Sequence, residues 1–325
     1  MSGIIDLSQL PAPACVTPVS FSAELDTLLN LYVAGMRDQL NDDTFPAPLV
    51  SDPAYQILST VAYRLGLQRQ QINEACEATM LAYAVGSDLD QIGATFAVPR
   101  LVVTAADTSV TQNIPALLES DARFRQRIQI ALEAWTTAGS RGSYEYHTLT
   151  ASPLVLDVYI DRPEFVAVAT LDPTVIQLET VYDARLPSPI PGDVAVTVLL
   201  EQGADVAHVK ALVNAALDTE TVIPLTDNVH LLDAEILEYT VDAVLYCYPG
   251  PSAEPILTAA RAALETYTQT HYRLGHDIAE SGLHAAAHQA GVQRVALSVT
   301  GNIVVQPWQA AKCTSITVTL GGRDV

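Results

Sequence analysis

Residues 52–84 read DPAYQILSTVAYRLGLQRQQINEACEATMLAYA, and they set the class of the fold. Asp52 followed by Pro53 is a helix start, with a cap residue and then proline where its missing N–H costs nothing. From Ala54 to Ala84 apolar side chains recur at Ile57, Leu58, Val61, Leu65, Ile72, Cys76, Met80 and Tyr83, which is helical spacing. At 1.5 Å per residue this predicts a rod of about 45 Å, weakened or bent at Gly66. Gly86 is expected to stop the rod. Ser87 and Asp88 then recap a short helix through Leu89, Ile92 and Phe96 before Pro99.

Upstream, Ser22 is expected to cap a helix whose stripe is Leu25, Leu28, Leu29, Tyr32, Val33, Met36 and Leu40. A turn-rich stretch with two prolines, Asn41 to Val50, separates it from the rod. Residues 1–14 hold no Lys or Arg and no apolar run of signal-peptide length, so they read as a proline-punctuated arm despite the Ala-Pro-Ala before Cys15. No stretch approaches the roughly 20 apolar residues of a membrane span. The four cysteines, Cys15, Cys76, Cys247 and Cys313, have no ligand spacing and form no disulfide framework. A soluble protein made in a reducing cytoplasm is expected.

Downstream of a Thr-rich link near residues 104–113 the texture becomes mixed. Ser120 is expected to cap a helix with Phe124, Ile128, Leu132 and Trp135 on one face, and residues 142–151 form another. β-formers fill Val155–Ile160 and Val194–Leu200. The Pro-rich excursion between them, Asp161–Pro191, has room for a hairpin of Phe165–Thr170 and Val175–Val181. A helix with Val206, Val209, Leu212, Val213 and Leu217 comes next, then strands at Val229–Leu232 and Glu238–Tyr246. Helices over Glu254–His271 and Asp277–Ala290 precede strands Val295–Val299 and Ser315–Leu320. The first and last units share the order helix, glycine turn, helix, strand, strand, which suggests a degenerate duplication.

The expected class is therefore α+β, a helical N-terminal region with a long helix followed by small mixed modules. Its regions are an arm and first helix (1–50), the long-helix region (51–105), a module with an insertion at 161–191 (106–200), a middle module (201–250) and a C-terminal module (251–325).

Across 325 residues, 37 acidic and 16 basic side chains give a formal charge of −21. Such a balance excludes a free-standing nucleic-acid binder, which needs clustered Lys and Arg, and argues against an anionic membrane surface. With 49% hydrophobic residues the chain has ample apolar surface for cores and is not disordered.

Catalytic signatures are missing. The chain contains no phosphate-binding glycine loop, no GxGxxG after a strand and no GxSxG elbow. His284 and His288 stand one helical turn apart, the spacing that can offer two imidazoles to a metal. Ala285 occupies the place where a metalloprotease helix carries its Glu, so the pair reads as surface or interface histidines. A metal-dependent enzyme built on them is the alternative reading. No calcium-loop spacing occurs, and no cofactor, metal site or enzymatic activity is expected. Arg123, Arg125 and Arg127 form the tight basic cluster, with Arg123 and Arg127 on one helical face, either solvated or paired with an acidic neighbouring subunit.

Two segments carry more specific information. One is Tyr63-Arg64-Leu65-Gly66-Leu67-Gln68-Arg69-Gln70-Gln71-Ile72-Asn73-Glu74-Ala75, continuing as Leu81-Ala82-Tyr83-Ala84-Val85-Gly86-Ser87-Asp88-Leu89-Asp90-Gln91-Ile92-Gly93. The other is Glu119-Ser120-Asp121-Ala122-Arg123-Phe124-Arg125-Gln126-Arg127-Ile128, continuing to Ala138-Gly139-Ser140-Arg141-Gly142-Ser143-Tyr144-Glu145-Tyr146-His147. Weaker echoes are Pro224-Leu225-Thr226-Asp227, Tyr272-Arg273-Leu274-Gly275-His276-Asp277-Ile278, Gly291-Val292-Gln293-Arg294-Val295, Cys313-Thr314 and Gly321-Gly322. Together, from about residue 50 to the end, the chain closely resembles the baseplate J-like family of contractile phage tails.

The resemblance implies a non-enzymatic wedge component of the baseplate, present in the virion tail and assembled in the host bacterial cytoplasm. Family members associate with one another and with a smaller wedge protein through N-terminal helices. Their C-terminal domains ring the hub and spike, near the sheath-proximal tail proteins, and rearrangement of the ring starts sheath contraction. A phage-derived particle, such as a tailocin or contractile injection system, is the alternative setting. The connection from Ile160 to Val194 is longer than the family pattern, so the surface of 161–191 is expected to be particular to this system.

A long helix with little in its own chain to cover it suits a bundle between subunits. The expected interface residues are Leu58, Val61, Leu65, Ile72, Cys76, Met80, Arg123 and Arg127. The charge distribution points the same way. Residues 142–272 hold 19 acids and 4 bases, whereas residues 64–141 hold 8 and 7. The middle modules are then the solvent-facing or basic-partner-facing part, and the neutral stretches pack between subunits.

Overall fold

A computed structural model describes the chain apart from residues 1–4, 8, 9, 12, 107–113, 137, 138, 170–175, 220, 221, 251, 300, 324 and 325. Two compact units emerge. One comprises Ile4–Arg100 and Ser120–Gln129; the other contains Leu101–Glu119 and Ile130–Val325. The expected tips of the 161–191 hairpin, Thr170 and Val175, and most of the Thr-rich link lie outside the described residues.

The first unit is helical. Helix α1 (Phe21–Leu40) is capped by Ser20 rather than by Ser22: the Ser20 hydroxyl accepts from the Ala23 N–H at 3.4 Å, and Ser22 instead bonds the Ser20 hydroxyl at 3.1 Å. Asn41 closes it in the left-handed conformation, its N–H reaching the Arg37 and Asp38 carbonyls. Helix α2 (Pro53–Ala78) does start at proline, but the Asp52 carboxylate accepts from Leu49 N–H at 2.7 Å rather than from the helix. An ion pair at 2.9 Å joins Glu24, near the start of α1, to Arg69, late in α2, as antiparallel helices allow.

The rod is shorter than its periodicity implied. Helix α2 ends at Ala78, where the Thr79 hydroxyl bonds the Cys76 carbonyl at 2.8 Å and competes with the helical ladder. The Met80 carbonyl then accepts from both Tyr83 and Ala84 N–H, making a turn. Gly86 is accordingly the first residue of α3 (Gly86–Thr95) and not the stop of α2. Helix α4 (Asp121–Gln129) is capped by Ser120 as expected, at 3.4 Å from the Arg123 N–H. It stops before Leu132 and Trp135, which are exposed in a 3₁₀ turn over Ala131–Trp135, so the predicted four-residue face is broken after Ile128.

The second unit is built of small sheets and helices. Strands β1 (Val102–Thr104) and β2 (Leu117–Leu118) pair antiparallel. After α5 (Arg141–Ala151) comes β3 (Val155–Asp161), the hairpin of β4 (Glu164–Ala169) and β5 (Ile176–Tyr182), then β6 (Asp193–Leu200). Helix α6 (Val206–Leu217) carries the chain to β7 (Asn228–Asp233). The sheet order is β3-β6-β7, antiparallel then parallel, with the central β6 almost wholly buried.

Strand β8 (Glu235–Cys247) leaves that sheet and becomes the centre of the next, so residues 201–250 are divided between two sheets. Helices α7 (Glu254–Thr270) and α8 (Glu280–Ala287) follow, then β9 (Val292–Leu297) and β10 (Gln309–Arg323), in the order β10-β8-β9. Along β8 buried residues alternate at Tyr239, Val241, Ala243, Leu245 and Cys247, so one face meets Ala260 and Leu264 of α7 and Leu283 and Ala287 of α8. The shared element order does not give a shared topology. Strands β3 and β6 pair directly, whereas β9 and β10 lie on opposite sides of β8.

Candidate functional site: the helical hairpin and its arginine anchor

Helix α2 has an inverted face. Its buried residues are Ala62, Gly66 and Asn73, small or polar, while Ile57, Val61 and Ile72 are exposed, Ile72 at 59%. At about 100° per residue Ile57, Val61 and Ile72 fall within roughly 60° of one another, turned about 130° from the buried face of Ala62, Gly66 and Asn73. Small residues at the intrachain contact let the N-terminal arm lie close; the Val19 side chain stands 3.6 Å from where a Cβ on Gly66 would be. Large side chains thus face away from the hairpin, opposite to an ordinary two-helix core.

The expected interface residues separate accordingly. Val61 and Ile72 are exposed, and Leu58 and Leu65 are half-buried at the edge of the same stripe. Cys76 is half-buried, with Cys15 of the arm near enough to raise its pKa. Met80 lies beyond the end of α2, in the turn. Arg127 requires a correction: it is 1% exposed and donates to the Pro99 carbonyl at 2.6 Å, so it serves the interior of its own unit. Arg123 is half-buried on α4 and engaged within the protein.

The arginines instead fix the end of the hairpin to α3 and α4. The Arg100 guanidinium pairs with Asp90 and Asp121, each at 2.7 Å, donates to the Gly86 carbonyl at 3.2 Å and lies 4.6 Å from the Phe124 ring centroid. Burial opposes its charge, but the hydrogen bonds to Asp90 and Asp121 outweigh that and raise its pKa. Asp121 is held below the usual carboxylate value by the Gly86 N–H at 3.1 Å and then by Arg100. Arg125 donates to the Leu81 and Ala84 carbonyls at 2.6 and 2.7 Å, tying the turn after α2 to α4.

Sequence reasoning grouped Arg123, Arg125 and Arg127 by proximity and passed over Arg100, which stands alone after Pro99. Its only local signal was an isolated base within reach of Asp90. Asn73 was missed as well, although an asparagine inside a helix is itself a sign of a side-chain contact. The two family-like segments meet in this anchor, since Gly86, Asp90 and Gly93 come from the first and Asp121, Phe124, Arg125 and Arg127 from the second.

The histidine pair is divided between elements. His284 lies on α8 with Nε2 3.8 Å from Glu280 Oε1, and His288 is the cap that ends the helix. Among the described residues no three His, Cys, Asp or Glu side chains gather so as to hold a metal ion, and no helix is long and apolar enough to cross a membrane.

Comparison with known proteins finds similar sequences over nearly the whole chain. Residues 51–107, spanning α2 and α3, match the Baseplate J-like N-terminal domain, and residues 239–319, spanning β8 to β10, match the Baseplate J-like protein C-terminal domain. The chain is 40% identical over 328 aligned residues to Baseplate protein J of Escherichia phage P2, covering 99% of both chains. Similarity of that extent leaves no part of either chain unmatched on a domain scale, and the chain belongs to the baseplate J-like family.

Proposed function

We infer that this baseplate J-like protein is a structural wedge component of a contractile-tail baseplate. It assembles with copies of itself and a smaller wedge protein into a ring about the hub and spike, and the ring rearranges to start sheath contraction. The observation that carries this reading is the outward apolar stripe of α2, with Ile57, Val61 and Ile72 exposed while Ala62 and Gly66 are covered. A helix so arranged gains by burying that stripe against another helix. The acidic middle of the chain supports a surface turned to solvent or to basic partners. The role is mechanical rather than catalytic.

Co-expression with the neighbouring tail proteins, followed by size-exclusion chromatography and antibody labelling of particles, tests the reading. Co-elution and labelled tail tips are expected. A protein that stays monomeric with every neighbour and labels no tail tip would overturn it.

A further inference from the structure

The N-terminal arm runs along α2 in the opposite direction, and three contacts define its path. Val19 packs over Gly66. Thr17 is held by Asn73 on both sides of its peptide: its N–H donates to Asn73 Oδ1 at 3.1 Å and its carbonyl accepts from Asn73 Nδ2 at 2.7 Å. Two residues earlier in the arm and one helical turn later in α2, this register brings Cys15 beside Cys76, near enough to raise the Cys76 thiol pKa. Asn73 is 7% exposed, so this pair of amide bonds is a built contact that fixes the register of the arm and with it the meeting of the two thiols. The four cysteines are all free, and the other two, Cys247 in β8 and Cys313 in β10, belong to the second unit.

We propose that Cys15 and Cys76 are a redox-responsive dithiol that closes to a disulfide, with a small-molecule disulfide such as oxidised glutathione as the oxidant. Cys15 is exposed and attacks first: its thiolate displaces one glutathione thiolate and forms a mixed disulfide. The Cys76 thiolate then attacks the Cys15 sulfur and expels the second glutathione. In sum, two protein thiols and one glutathione disulfide give one protein disulfide and two glutathione thiols. The neighbouring Cys15, and then burial, raise the Cys76 thiol pKa and reduce its thiolate fraction, but its attack is intramolecular and the high local concentration of its target compensates. The bond would staple the arm to α2 in oxidising surroundings and leave it held by its non-covalent contacts, the Asn73 bonds and the Val19 packing, in reducing ones.

The test uses the full chain, reduced and then incubated with oxidised glutathione, alkylated and mapped by mass spectrometry. A linked peptide pair containing Cys15 and Cys76 is expected, two hydrogens lighter than the reduced peptides and reopened by dithiothreitol. Cys247 and Cys313 should stay unlinked in the same sample. The Cys76→Ser variant should arrest at the mixed disulfide, gaining one glutathionyl group at Cys15. Mixed disulfides alone in the wild-type protein, links between Cys15 residues of two chains, or no glutathionyl adduct in Cys76→Ser would each overturn the proposal. The readout needs no assembly partner, so it is independent of the wedge reading.

Discussion

The Tyr144 hydroxyl donates to the Asp227 carboxylate at 2.7 Å across 83 positions of sequence. Tyr144 sits on α5 just after the turn at Gly139, and Asp227 ends the loop that leads into β7. Gly139 has φ +61° with Pro224 and Asp227 filling the space a Cβ would need, so the turn and the loop are locked face to face. Two separate family-like segments thereby become one contact. Tyr144→Phe should remove a charge-assisted hydrogen bond at a buried position and lower stability by about 1–3 kcal/mol. Urea unfolding of the full chain, followed by tyrosine or tryptophan fluorescence, measures it.

Arg100→Lys keeps the charge but loses the fork that reaches Asp90, Asp121 and the Gly86 carbonyl together. An ammonium can approach only one of the two carboxylates closely and stacks less well on Phe124. Both acids are partly exposed, which moderates the cost. A loss of about 1–3 kcal/mol is expected for the helical unit, read as faster amide exchange in α3 and α4.

Acid should weaken the same anchor. The pKa of Asp121 is lowered from 3.8, so its contribution is fully present above that value and is lost as pH falls below it, where the unfolded chain takes up the proton first. Thermal midpoints of wild type and Asp121→Asn should differ most near neutrality and converge in strong acid. A gap that does not change with pH would contradict the linkage.

Gly93→Ala places a methyl where the Phe124 Cζ is 2.4 Å away and the Val98 carbonyl oxygen 2.9 Å. One neighbour is backbone and the other is an aromatic ring that is fully buried, so neither yields easily. Overpacking of this kind costs about 1–3 kcal/mol, visible as a lowered melting temperature.

Ile72→Glu should abolish co-assembly with wedge partners while leaving the C-terminal unit folded. Ile72 is 59% exposed, so the isolated chain should change by no more than about 0.5 kcal/mol. Leu65→Glu should also block assembly, but it is half-buried and will loosen the hairpin as well. Size-exclusion of co-expressed proteins, paired with a melting curve of each variant alone, separates the two effects. Normal assembly of Ile72→Glu would exclude this stripe as the contact.

Local pattern alone determined most of the elements. The helical spacing from Ile57 to Cys76, the proline at the start of α2, the Ser120 cap and the β-rich runs at 155–160 and 194–200 all lie where short-range sterics and hydrogen bonding place them. The family was legible too, because its two strongest segments occur in order along the chain. Tertiary structure alone decided which side of each element is used. Arg127 turned inward because the Pro99 carbonyl, 28 positions away, offers an acceptor to its guanidinium, and Arg100 became a hub because α3 and α4 bring Asp90 and Asp121 to it. Strand β8 joined the second sheet for the same kind of reason: its alternating face fits α7 and α8, which come after it in sequence. Periodicity reports which residues share a face, but the partner of that face is set by distant segments competing to bury apolar area and satisfy polar groups. Such a competition is settled only when the whole chain has packed.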